Sequence, residues 1–188
     1  SLSNKEHQQE ITYLKDIRND LRKDSLKLEF ALRVNDKKSG KLLNGLNLIS
    51  KKAPIDSVLV NVLEIGNYNF FNPDNFTLLS LLQSGDLKLI QSEDIKKEIL
   101  RLQKVYEMID TMQKNFLQAL DDNYFPILLN KMDMVEFRAI DPDFFYGIEI
   151  KNYCAFTLNE TNQQNQTYKQ ALKQIDKLML LIEAEIDK

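Results

Sequence analysis

Apolar side chains recur every seven residues through the first fifty residues: Leu14, Leu21, Leu28, Leu42 and Ile49, with Asn35 in the one gap. Ile11, Leu32 and Leu46 supply the alternate four-three step. That period belongs to an α-helix burying one seam against partner helices, and a strand, with its period of two, cannot use it. The stripe predicts one helix over about 3–50, a rod of about 70 Å. It reads as starting in mid-stride without a cap, so the chain is expected to continue upstream. Gly40 and Gly45 are expected to loosen the far end, since glycine costs about 1 kcal/mol against alanine in a helix.

The remaining helices are marked by their punctuation. Ala53-Pro54 opens a short helix with Val58, Leu59, Val62 and Ile65 on its apolar side and Gly66 as its stop. Its valine-rich stretch would suit a strand, but no second such run exists to pair with it. After the aromatic loop Asn67 to Phe71, Asn72-Pro73-Asp74 reads as a helix start, with a side-chain cap, proline at the first position and an acid in the first turn. That helix is expected to end at Ser84-Gly85, where glycine accepts the left-handed conformation of a terminator.

Ser92 with Glu93 and Asp94 opens the next long helix, striped by Ile95, Ile99, Leu102, Tyr106, Ile109, Phe116 and Leu120. Asp121-Asp122-Asn123 and Pro126 are expected to break it. A short helix over about 127–134 then leads to a loop near Ala139. Asp141-Pro142-Asp143 repeats the capping pattern. The last helix carries Leu158, Thr161, Asn165, Tyr168, Leu172, Ile175, Met179, Ile182 and Ile186 as its stripe.

A chain of 188 residues, 43% hydrophobic, suits a single core, and 5 glycines with 4 prolines are few for a sheet protein. The net charge of -3 is spread over interspersed acids and bases, not the clustered basic face that nucleic acid demands. The lone cysteine, Cys154, forms no internal disulfide and sits four residues before Leu158 on the last helix's seam, where it behaves as a small hydrophobe. The one histidine, His7, lies near an end without a fixed partner and reads as solvated. Asp16, Asp20 and Asp24 line one helix face among Arg18, Arg22, Lys23 and Lys27, a solvated charged face and not the six to eight converging oxygens of a calcium site. Asp121, Asp122 and Asp133 read as capping or surface residues. The aromatic groups Tyr68, Phe70, Phe71 and Phe76, with Phe144, Phe145 and Tyr146, read as a core plug at a bundle end; the alternative is the lining of a small-molecule pocket.

The run Asn75-Phe76-Thr77-Leu78-Leu79, continued through Leu81-Leu82-Gln83-Ser84-Gly85-Asp86-Leu87-Lys88-Leu89-Ile90 and followed by Ile95 and the third helix, resembles a family of uncharacterised bacterial membrane-anchored proteins. The resemblance extends to Tyr13-Leu14 through Asp20-Leu21-Arg22 and to the closing helix. It implies a short cytoplasmic start, one transmembrane helix ending within a few tens of residues of Leu2, and a helical extracytoplasmic domain. It implies no activity and no functional residues. At the level of fold alone, the layout is similar to the helical-bundle sensor domains of bacterial chemoreceptors and kinases.

The expected architecture is all-α, one domain over 1–188, an elongated bundle of three long helices plus short inserted ones. The expected function is non-catalytic: a domain of unknown function, sensor-like or scaffold-like, binding a protein or a small ligand but no nucleic acid. By the resemblance it stands on the periplasmic side of a bacterial inner membrane, held by a single-pass anchor. No catalytic, cofactor-binding or metal-ligating residue is assigned, and no cofactor is expected. The competing reading is an enzyme or metal-binding bundle using acids and aromatics around 121–146; a structural spacer is a third. Leu26, Phe30 and Val34 form a second apolar stripe on the first helix. The short helices Pro54 to Ile65 and Pro73 to Ser84 are expected to cover it in a monomer, with a parallel homodimer as the alternative.

Overall fold

The computed structural model describes residues 3–188, so Leu2, near which the anchor is expected to end, lies outside them. The fold is an all-α helical bundle. Helix α1 runs Asn4–Ser50, α2 Ile55–Val62, α3 Phe76–Ser84, α4 Glu93–Ala119, α5 Phe125–Lys131 and α6 Ile148–Ile186. A two-residue hairpin pairs β1, Met132–Asp133, antiparallel with β2, Arg138–Ala139.

The start of α1 is capped, contrary to expectation. Glu6 N–H donates to Ser3 Oγ at 3.2 Å, and Ser3 N–H to Glu6 Oε2 at 2.9 Å. This reciprocal box satisfies two first-turn donors. The glycines do not interrupt α1. Gly45 instead allows close approach: a Cβ there would stand 3.0 Å from Val62 Cγ1 of α2.

The seam of α1 buries Leu14, Leu21, Leu28, Asn35, Leu42 and Ile49, as the heptads require. Its second row differs from expectation by one residue. Glu10, Ile17, Asp24, Ala31, Lys38 and Gly45 are buried, while Ile11, Leu32 and Leu46 are half-buried beside them. Helix α6 shows the same offset: Thr157, Gln164, Ala171 and Leu178 are buried, and Leu158, Asn165, Leu172 and Met179 are half-buried. In α4 the buried row is the expected one, Ile95 through Leu120.

Pro126 does not break the fourth helix. Leu120–Tyr124 form a π-helical turn, and Pro126 falls in the first turn of α5. The wider turn absorbs one residue and passes over the bond that Pro126, lacking an N–H, cannot make. Beyond Phe116 the buried side advances by fours, through Leu120, Tyr124, Leu128 and Met132. The later expectations shift with it: α5 ends at Lys131, and the predicted loop near Ala139 contains the hairpin.

The chain divides into two compact units. One takes α1 up to Phe30, with Phe71–Asp110 and Thr167–Lys188. In it Phe71 packs tilted on Tyr106, 5.6 Å between ring centroids, and edge-on to Tyr168 at 6.2 Å. Asn72-Pro73-Asp74 does not open α3, which starts at Phe76 after Asn75. Asp74 N–H is drawn away to Asp24 of α1, and the Asp74 carboxylate pairs with Lys27 at 2.8 Å. Gly85 ends α3 as expected, in the left-handed region at φ 78°. At the turn that follows, Tyr13 O–H donates to Asp86 Oδ2 at 2.7 Å, and Asp86 N–H to Ser84 Oγ at 3.3 Å.

The other unit, Ala31–Phe70 with Thr111–Gln166, packs Leu42, Ile49, Val58, Val62, Phe116, Tyr124 and Phe145 into one apolar cluster with Cys154. Asn35 enters the seam by donating from Nδ2 to Asn165 Oδ1 at 2.9 Å and Gln164 Oε1 at 3.4 Å, which accounts for the polar dilution of α6. Asp141-Pro142-Asp143 does not cap α6. Asp141 pairs with Lys131 at 2.8 Å, Pro142–Tyr146 make a 3-10 turn, and α6 follows Gly147.

The second stripe of α1 is not covered as expected. Leu26 is 67% and Phe30 53% exposed, and Val34 is half-buried. The inserted segments engage α1 one position along: Lys27 donates to Asn72 O and pairs with Asp74, and Lys41 pairs with Glu64 at 2.8 Å.

Candidate functional site

Three charged side chains stand on the buried row of α1, fourteen residues apart: Glu10, Asp24 and Lys38. A buried charge needs partners, and each finds a backbone group of the irregular chain between α2 and α4. Glu10 Oε1 accepts Gln91 N–H at 2.8 Å. Asp24 accepts Asp74 N–H at 2.6 Å on Oδ1 and Tyr106 O–H at 2.5 Å on Oδ2. Lys38 Nζ donates to Asn67 O and lies 5.1 Å from the centroid of the Phe116 ring. Burial raises the Asp24 carboxyl above its ordinary value, with the bonds from Tyr106 and Asp74 opposing it. Burial and the neighbouring carboxylate raise the Tyr106 phenol. The Lys38 ammonium is lowered by burial to about 8, with Glu64 opposing. These groups are spent on the chain's own loops, a structural use of charge.

Asp24 does not share a solvated face with Asp16 and Asp20: Asp16 is exposed, Asp20 half-buried and Asp24 fully buried. The available signal was position: Asp24 stands seven residues from Ile17 and from Ala31, and between Leu21 and Leu28 of the heptad row.

The second group surrounds the π turn and the hairpin. Ala119, Leu120, Asn123 and Tyr124 on one side, with Asn152, Tyr153 and Phe156 of α6 on the other, line a cleft of about 300 Å³. Tyr124 and Tyr153 meet edge-on at 5.3 Å, and Phe156 stacks on Phe116 at 6.1 Å. Tyr153 O–H donates to Asn123 O at 3.2 Å, and Asn123 Nδ2 to Ala119 O at 3.0 Å. Among the described residues the buried Tyr124 hydroxyl finds no hydrogen-bond partner, and burial raises its phenol. Cys154 is buried in the same unit and its thiol is pushed up to about 12, so it stays protonated.

At the hairpin, Asp133 Oδ1 accepts the N–H groups of Val135 and Glu136, both at 3.0 Å, and the turn closes with Phe137 at φ 52°. Val135 is 92% exposed, and Met134, Phe137 and Ile140 are more than half exposed. The ion pairs Arg138–Asp133 and Lys131–Asp141 flank this apolar tip.

The other singled-out residues do not form one site. Asp121 and Asp122 are exposed, Asp122 accepting from Gln118 at 2.8 Å. His7 is exposed, its Nδ1 3.4 Å from Glu10 Oε2. The aromatic group divides: Phe71 and Phe145 are core, Tyr68 stacks on Phe70 at 4.8 Å near the surface, and Phe76 is 82% exposed. Among the described residues, no three His, Cys, Asp or Glu side chains are placed to hold a metal ion, and no helix is long and apolar enough to cross a membrane. Compared with known protein families, with characterised proteins and with solved structures, the chain matches none.

Proposed function

We propose that this chain is a non-catalytic, protein-binding helical module of a membrane-anchored bacterial envelope protein, and that the hairpin tip is its contact point. The observation that carries the reading is the solvent exposure of Met134, Val135, Phe137 and Ile140 on one short hairpin. Apolar groups gathered this way are the mark of an interaction surface. The tip is held in shape by Asp133, so little ordering entropy is lost on docking. Its basic groups are matched by Asp133 and Asp141, and Glu136 adds an acid, so an anionic lipid surface gains nothing from it. A protein with an apolar pocket and a base opposite Glu136 is the fitting partner.

A photocrosslinking phenylalanine analogue at Val135, in the full-length protein in its host, tests this reading. One discrete adduct is expected, and the purified partner should bind at least tenfold more weakly to Val135→Asp. Adducts no more specific than those from a probe at exposed Gly40, or binding indifferent to Val135→Asp, would overturn it. The anchor is tested separately by fractionation: the full-length protein belongs in the membrane pellet, and recovery in the soluble pool counts against it.

A further inference from the structure

We infer that Met134 is a reversible oxidation site, whose conversion to the sulfoxide by a hydroperoxide turns the hairpin tip polar and releases the protein docked on it. The inference deepens the proposed function and rests on it for the docked partner alone. The sulfur atoms of the chain lie in five methionines and in Cys154. Cys154 is buried and its thiol stays protonated, so it does not compete for the oxidant. Met132 is 2% exposed, and Met112 and Met179 are half-buried. That leaves Met108 and Met134 at the surface, 53% and 51% exposed.

Their surroundings separate the two. Met108 stands on α4 beside exposed Lys104, Glu107 and Thr111, where one more polar oxygen changes little. Met134 adjoins Val135 in a tip whose Phe137 and Ile140 are also exposed. A sulfoxide there replaces an apolar side chain by a strong dipole, and an apolar pocket closed over it would bury an oxygen without a donor. The shape of the tip does not depend on Met134. Met132 packs in the apolar cluster of the bundle, and Asp133 Oδ1 holds the turn through Val135 N–H and Glu136 N–H. Oxidation therefore changes the polarity of the hairpin and leaves its anchor intact.

The Met134 sulfur attacks the terminal oxygen of the hydroperoxide. An S–O bond forms as the O–O bond breaks, and the leaving alkoxide or hydroxide takes the proton of the transferred oxygen. Sulfur loses two electrons, and the peroxide is reduced to an alcohol or water. A dithiol-dependent methionine sulfoxide reductase restores the thioether: the oxygen leaves as water and the dithiol becomes a disulfide.

Hydrogen peroxide added to the purified chain tests the switch, read by peptide mass spectrometry and by retention on phenyl-agarose. Met134 should oxidise at least tenfold faster than Met132. Oxidation should lower retention at least twofold in the wild type and in Met108→Leu, while Met134→Leu keeps most of it, and reductase with dithiothreitol should restore the wild type. Equal loss in Met134→Leu, oxidation of Met132 as fast as of Met134, or amide shifts spreading from the hairpin into the bundle would each overturn the inference. In the host, the adduct from the probe at Val135 should fall at least fivefold after peroxide, and not in Met134→Leu. A discrete adduct indifferent to peroxide overturns the release and leaves the hairpin reading standing. Failure to form any discrete adduct overturns the hairpin reading and the release with it, and the phenyl-agarose result still decides the oxidation site.

Discussion

Asp24 and Lys38 occupy equivalent positions on one row of one helix, each in its own unit, and hold loop backbone with opposite charges. Asp24 accepts two hydrogen bonds, from an amide N–H and a phenol. Lys38 donates to one carbonyl and rests its charge against a ring. The lesson is one of valency. A carboxylate in a seam can gather several donors, so its removal strands more than one group; an ammonium facing one carbonyl strands less. The pH consequences are also opposite. Asp24, raised from 3.8, keeps its proton to higher pH when folded, so the proton-linked part of its contribution is full below 3.8 and is lost as pH rises through the folded value, while the hydrogen bonds it accepts remain. Lys38, lowered from 10.5 to about 8, contributes fully above 10.5 and loses that contribution as pH falls through about 8.

The largest expected effect separates the two at once. Asp24→Ala leaves Asp74 N–H and Tyr106 O–H without an acceptor and should destabilise the fold by about 3 kcal/mol. Lys38→Met strands only Asn67 O, keeps packing on Phe116, and should destabilise by about 1 kcal/mol. Urea denaturation at pH 7 measures both, and a greater loss at Lys38 would break the comparison. Between pH 8 and 10 the wild type should gain on the order of 1–2 kcal/mol relative to Lys38→Met. Parallel curves for the two proteins would mean that Lys38 does not release its proton in that range.

Gly85→Val probes the excursion that Asp24 holds. With φ at 78° and open space around it, the substitution strains only the backbone, and a loss of about 1 kcal/mol is expected in thermal melts. An unchanged Tm would show that the turn relaxes out of the left-handed region. The smallest effect belongs to the uncovered back of the same helix. Phe30→Glu should change stability by less than about 0.5 kcal/mol and leave the sedimentation of the isolated domain unchanged. A dimer lost on this substitution would show that the exposed stripe is an interface between copies.

What the sequence made legible follows from which residues hold the seam. In α4 the pattern locates Ile95, Ile99, Leu102, Tyr106 and Ile109, all buried, and passes over Val105 and the buried Glu98, which Arg101 and Lys177 pair. In α1 and α6 one row is held by Glu10, Asp24, Lys38 and Gly45, or by Thr157, Gln164 and Ala171. Their apolar neighbours one residue along, Leu32, Leu46, Leu158 and Leu172, then draw the reading off the seam. Hydrophobicity reports only what a side chain prefers without partners, and partners decide here. The two Pro-containing caps failed for the same reason, since Asp74 and Asp141 answer to Lys27 and Lys131 and not to a helix start. Pro126 marked a real irregularity, but a π turn accommodates it without ending the helix. The hairpin gave no signal, having no Asn-Gly or Gly pair at its turn.

The spacing of Glu10, Asp24 and Lys38 has a consequence for alignment. Seven-residue patterns are nearly self-similar, so a helix built on them can slide by one repeat, about 10 Å, and still present leucines to its neighbours. In this chain such a slide would set Ile17 or Ala31 where a donor or carbonyl waits, and would bury the displaced charges against apolar rows. A slide of two repeats can bring Lys38 to the place of Asp24, facing an amide N–H and a phenol with the wrong sign. The three ionised positions therefore work like the uneven teeth of a key, and only one longitudinal placement of α1 turns the lock.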